Sequence, residues 1–177
     1  MERASALTAF VATVVAVAGL GIGSAHATDQ GIKGKKLFFI RPTKFVVLSK
    51  DPSIKVTGSH PEDPGSTSTV SFDTGGTPVV FALADALWRA DASGQFFRYR
   101  NRDAPSGPSA VASAKVGIGV LRVVGKGLPF PVPSGDATVN VVLSLDGGTN
   151  RYCMSFSGPP SAGKFLVKDA PAGTCPP

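Results

Sequence analysis

The stretch Gln95 to Gly127, QFFRYRNRDAPSGPSAVASAKVGIGVLRVVGKG, decides the fold. Aromatic and basic residues alternate at its start. In an extended chain Phe97, Tyr99 and Asn101 face one side, and Phe96, Arg98, Arg100 and Arg102 the other. The turn-forming Ala104-Pro105-Ser106-Gly107-Pro108 interrupts the pattern. A valine-rich run then resumes, with Val116, Ile118, Val120 and Arg122 pointing one way and Gly117, Gly119, Leu121 and Val123 the other. Period-two patterning on both sides of a Pro/Gly break predicts two strands of one sheet.

The same grammar extends outward in both directions. Thr138 to Leu145 alternates, with Val139, Val141, Leu143 and Leu145 on one face, and Asp146-Gly147-Gly148-Thr149 turns the chain into Arg151 to Phe156. There Tyr152, Met154 and Phe156 share a face, the strongest hairpin signal in the chain. Thr69 to Asp73 and Pro78 to Leu83 form a second hairpin around Thr74-Gly75-Gly76-Thr77. Leu37 to Ile40 and Phe45 to Leu48 are short apolar runs broken by Arg41-Pro42-Thr43, a hairpin or a kinked edge strand. Ser49-Lys50-Asp51-Pro52-Ser53 is a turn, Ile54 to Thr57 a brief strand, and Gly58 to Ser66 a loop. Ala82 to Ala90 reads as a helical turn too short for a helix, and Lys164 to Lys168 as a last strand. With 21 glycines and 15 prolines in 177 residues, the composition favours short strands and many turns. About eight to ten strands predict an all-β fold, an antiparallel β-sandwich or jelly roll, with a closed β-barrel as the alternative.

The first 27 residues stand apart. Arg3 supplies a positive start, Ala6 to Gly23 is an apolar and small-residue run, and Ala25-His26-Ala27 is a small-x-small cleavage site. This is the pattern of a secretory signal peptide cut after Ala27, and it predicts a secreted or periplasmic product with no membrane span after cleavage. Thr28 to Lys36 reads as a basic, mobile lead-in, and residues 37–177 as a single domain. Cys153 and Cys175 are the two cysteines, and an oxidising compartment joins them in a disulfide that ties down the C-terminal tail. The formal charge is +6. For an exported chain that points away from nucleic acid and toward envelope polymers, headgroups or acidic polysaccharide, or simply toward solubility.

Six segments carry a resemblance. KKLFFI, VVLSKDPSI, FFRYRNRDAPSGP, LRVVGKG, GGTNRYCMSF and KDAPAGTCPP occur in order over most of the chain after residue 27. They resemble a group of uncharacterised secreted bacterial β-domains that share an S-K-D-P-x-I turn, a Y-x-Y-x-D strand end, G-x-R-Y-C-x-x-F and a C-terminal Cys. The resemblance implies a secreted β-rich domain and no particular activity. Members often carry a second cysteine pair, and here those places hold Ser109 and Gly125.

Catalytic signatures are weak. His60 is the only histidine after residue 27 and sits in a Pro/Gly loop beside Ser59, Glu62 and Asp63, without a G-x-S-x-G elbow. One histidine and two cystine sulfurs make a poor zinc set, and the Asp146 turn lacks the oxygen-ligand spacing of a calcium loop. Gly117-Ile118-Gly119 lacks the third glycine of a dinucleotide fingerprint. No cofactor is expected. Asp85, Asp91 and Asp103 flank Trp88 and the basic strand and could serve a small polysaccharide hydrolase, although Asp at strand ends ordinarily caps turns.

The sharper candidate is a binding stripe of Phe96, Arg98, Arg100 and Arg102 with Trp88, suited to anionic polysaccharide or another envelope component. Its bland counterpart is a charged face that protects a sheet edge. A second basic cluster, Lys33, Lys35, Lys36, Arg41 and Lys44, reads as a solvated arm. The expectation is a non-catalytic binding or structural module, with the hydrolase and an inhibitor or assembly partner of another exported protein as alternatives.

Overall fold

A computed structural model describes residues 28–40, 44–104, 110–126, 135–161 and 163–176. The predicted signal peptide, the Arg41-Pro42-Thr43 break and the predicted turn at Pro105 to Pro108 lie outside them. Among the described residues there are twelve strands. They are β1 (Thr28–Gly31), β2 (Lys33–Ile40), β3 (Lys44–Ser49), β4 (Thr67–Asp73), β5 (Val79–Ala84), β6 (Trp88–Ala90), β7 (Phe96–Arg100), β8 (Val111–Gly117), β9 (Val120–Lys126), β10 (Ala137–Leu145), β11 (Asn150–Gly158) and β12 (Lys164–Ala172).

The strands build one sheet in the order β5-β4-β10-β11-β12-β2-β3-β9-β8-β7-β6. Its path is antiparallel throughout, and β1 adds in parallel to the first half of β11. The two ends of the path, β5 and β6, are consecutive in the chain and joined by a single 3-10 turn, Asp85–Leu87. The sheet therefore has to curl until its edges meet. Across that seam the Tyr99 hydroxyl on β7 hydrogen-bonds with the backbone of Ala84 on β5. The result is a flattened, nearly closed barrel that is equally a sandwich of one continuous sheet.

The inward residues of β2 to β12 fill the interior. Phe39 meets Phe72 at 5.6 Å between ring centroids and Phe45 meets Phe72 at 4.8 Å, both edge-on, so β2 and β3 pack across the core against β4. The Val139 to Leu145 and Tyr152 to Phe156 faces are buried as their alternation requires. Cys153 faces outward between Tyr152 and Met154, and its disulfide to Cys175 holds the C-terminal tail against the outside of β11. That linkage matters because β12 pairs with β11 at one position only, Met154 with Ala172.

Several local expectations are corrected. The valine-rich run is not one strand. Ile118 and Gly119 form a two-residue turn closed by the Gly117–Val120 pair, with Gly119 at φ +70°, so β8 and β9 are a hairpin. Val116 consequently faces the core while Arg122 faces out. Thr28 to Lys36 is no mobile arm: it forms β1 and the start of β2, held by pairing with Asn150 to Cys153 and by burial of Ile32. Ile54 to Thr57 is not a strand, because side chains satisfy its backbone. Tyr152 Oη donates to the Lys55 carbonyl at 2.7 Å, and the fully buried Asn150 donates to the Thr57 carbonyl while accepting from its N–H.

Candidate functional site

Alternation on β7 buries Phe97 and Tyr99 and leaves Arg98 and Arg100 exposed. The hairpin at Ile118-Gly119 then decides what lies beside them. Arg98 pairs across the strands with Lys115, Lys115 with Arg122, and, on the other side, Arg98 with Arg89. Four cations, Arg89, Arg98, Lys115 and Arg122, thus stand directly opposite one another on four adjacent strands, about 14 Å from first to last. Arg100, Arg102, Lys126 and Lys44 continue the basic surface, and with Arg122 they line a trough of about 550 Å³ at the β3 end.

Counter-charge is scarce on this face. The two ion pairs among the described residues, Lys35 with Asp169 and Arg151 with Asp29, lie elsewhere. The neighbouring segments 41–43, 105–109 and 127–134 contain no acidic residue. Asp91 lines the β6 end, but its carboxylate already accepts from the Ser93 hydroxyl and from the N–H groups of Gln95 and Phe96. Like charges directly opposite on a sheet are destabilising, so the row works against the fold that carries it. Edge protection does not account for it either, because β8 and β9 are paired on both sides.

Phe96 belongs to this face in an unexpected way. Its ring lies over Gly117, where a Cβ would come within 2.4 Å of it, and the Lys115 ammonium sits 4.1 Å from its centroid. The ring orients Lys115 rather than offering itself for stacking. Trp88 is corrected outright. It is fully buried, 5.4 Å from Tyr99 between centroids, on the core side of the sheet, and cannot meet an external polymer. Arg89, its neighbour, takes the exposed place. Arg102 stands just beyond the end of β7, exposed, and lines the β3 end of the trough with Arg100.

Of the three aspartates flanking Trp88, Asp85 and Asp91 do turn work, and Asp103 stands exposed next to Arg102. The Asp85 carboxylate accepts from Gly65 N and Ala86 N, and these bonds hold its pKa below the usual carboxylate range. For Asp91 desolvation acts to raise the pKa, but the Ser93 hydroxyl and the N–H groups of Phe96 and Gln95 outweigh it and the net direction is down. A glycosidase acid needs the opposite shift. His60 packs its ring 4.7 Å from that of Phe97, and its N–H donates to Asp63. Among the described residues no three His, Cys, Asp or Glu side chains group as metal ligands.

Arg89, Lys115 and Arg122 were not singled out in the sequence. The signal that could have found them is Gly117-Ile118-Gly119, since a turn there brings Lys115 opposite Arg122. No protein-family model, curated protein or solved structure matches the chain. Fold and face together define an all-β, disulfide-linked protein with a concentrated cationic surface.

Proposed function

We propose that this is an exported, non-catalytic binding module that holds anionic polysaccharide of the cell envelope or exterior on the outer face of β6 to β9. One observation carries the reading: four cations in cross-strand register on paired strands, none of them in the ion pairs found among the described residues. A bound polyanion converts that internal repulsion into attraction. Arginine forks suit carboxylates and sulfates, and the open trough leaves the guanidiniums hydrated, so binding is weak, fast and salt-sensitive. The polymer crosses the strands along Arg89, Arg98, Lys115 and Arg122, instead of following β7. Export is supported by the Ala25-His26-Ala27 pattern and the disulfide. A glycan array probed with the protein from Thr28 onward tests the reading. Sulfated and uronic-acid glycans should bind and their neutral counterparts should not; equal binding to neutral glycans contradicts it.

A further inference from the structure

A second surface adjoins the first and has a different chemistry. On the outer face of β12, β2, β3 and β9 the register places twelve side chains in three rows of four. The first row is Lys164, Ile40, Lys44 and Lys126, and the middle row is Leu166, Phe38, Val46 and Val124. The third is Lys168, Lys36, Leu48 and Arg122. The middle row is wholly apolar, and each flanking row holds three cations and one apolar residue. None of the twelve is acidic. Asp169, next to Lys168 in the chain, is held by Lys35 at 2.5 Å. Leu166 is 47% exposed, Phe38 and Val46 are half-buried, Val124 is buried, and the Lys36 ammonium lies 5.1 Å from the Phe38 ring centroid.

From this lattice we infer a docking surface for an anionic lipid bilayer. A bilayer interface matches both parts of the pattern, the apolar row and the cations on its two flanks. Leu166 and Phe38, at the exposed end of the apolar row, enter the headgroup layer, while long lysines on both flanks stay level with the phosphates. Rows lie about 6.5 to 7 Å apart and strands about 4.8 Å apart, so the six cations span a compact area that several anionic headgroups fill together. The two surfaces share Lys44, Lys126 and Arg122, whereas Leu166, Phe38, Lys164, Lys168 and Lys36 take no part in the polysaccharide face and carry the inference on their own.

The test is cosedimentation of the protein with vesicles of phosphatidylglycerol and phosphatidylcholine in equal parts, and with phosphatidylcholine alone. The wild type should bind the first at low salt and leave the second. Leu166→Asp, at an exposed position, should weaken vesicle binding more than tenfold, and Lys164→Gln with Lys168→Gln should weaken it several-fold. An Arg89→Gln/Arg98→Gln variant should bind vesicles as the wild type does. Three results overturn the inference: no binding to the anionic vesicles, binding indifferent to Leu166→Asp, or binding lost only with Arg89 and Arg98. A wild-type dimer that Leu166→Asp dissolves assigns the surface to a second copy instead and also overturns it.

Discussion

Lys115 is the residue at which fold and proposed function pull in opposite directions, and Lys115→Glu exposes the conflict. Its side chain opposes Arg98 on β7 and Arg122 on β9, and it caps the Phe96 ring. Each directly opposed like-charge pair costs about 0.2 to 1 kcal/mol, and a reversed charge makes both pairs attractive. The swing over the two pairs is about 0.8 to 4 kcal/mol, taken as about 2 kcal/mol, less about 0.5 to 1 kcal/mol for the lost cation–π contact at a solvent-facing site. Lys115→Glu should therefore stabilise the fold by about 1 kcal/mol, or about 3 °C in the melting temperature for a chain of this size. Thermal melts in about 0.02 M and about 0.5 M salt provide the assay, because screening should erase the gain in the second buffer. The same variant should lose polysaccharide binding more than tenfold. A melting temperature several degrees below wild type at low salt, with binding intact, refutes the reasoning.

Other outcomes follow from single interactions. Reducing the Cys153–Cys175 disulfide releases a loop worth about 3 kcal/mol of chain entropy, so Cys175→Ser should melt about 10 °C lower in calorimetry. Asp51, buried, accepts from Lys33 N, Ser53 N and Ser53 Oγ, and the Lys33 bond foremost holds its pKa low. Its contribution is complete above the ordinary carboxylate pKa of about 3.9 and is lost as pH falls further through the depressed folded value. Asp51→Ala should cost about 2 to 3 kcal/mol at neutral pH and flatten that acid limb in a denaturant titration. Gly117→Ala would place a Cβ 2.3 Å from the Gln95 carbonyl, so it should destabilise by about 1 to 3 kcal/mol and disturb the Phe96–Lys115 contact. His60→Ala should keep the fold and lower the melting temperature only by the loss of one ring contact on Phe97, which circular dichroism can follow.

Much of this was legible from alternation. Val139 to Leu145 with Tyr152 to Phe156, and Phe97 with Tyr99, announce their buried faces because a half-buried strand tolerates no other pattern. What alternation cannot report is register. A run such as Lys115 to Val123 keeps its period whether or not it bends at Gly119, and the bend alone determines that Lys115 and Arg122 are neighbours. Trp88 misled for a related reason. Its flanking charges suggested exposure, whereas the turn at Asp85–Leu87 that closes the sheet delivers it to the core. Thr28 to Lys36 looked mobile because its pairing partner is more than a hundred residues away, beyond any local signal.

The central claim is that the cross-strand row is a polyanion site, and equilibrium binding to a soluble sulfated polysaccharide over a salt series tests it most directly. Three proteins suffice: wild type, Arg98→Gln/Lys115→Gln/Arg122→Gln, and the charge-matched control Lys33→Gln/Lys35→Gln/Lys50→Gln. Binding should be present at low salt in the wild type and the control, decline steeply with ionic strength, and be largely absent from the first variant. Equal loss in both variants would mean that only net charge matters, and loss confined to the lysine control would place the site elsewhere; either result contradicts the account.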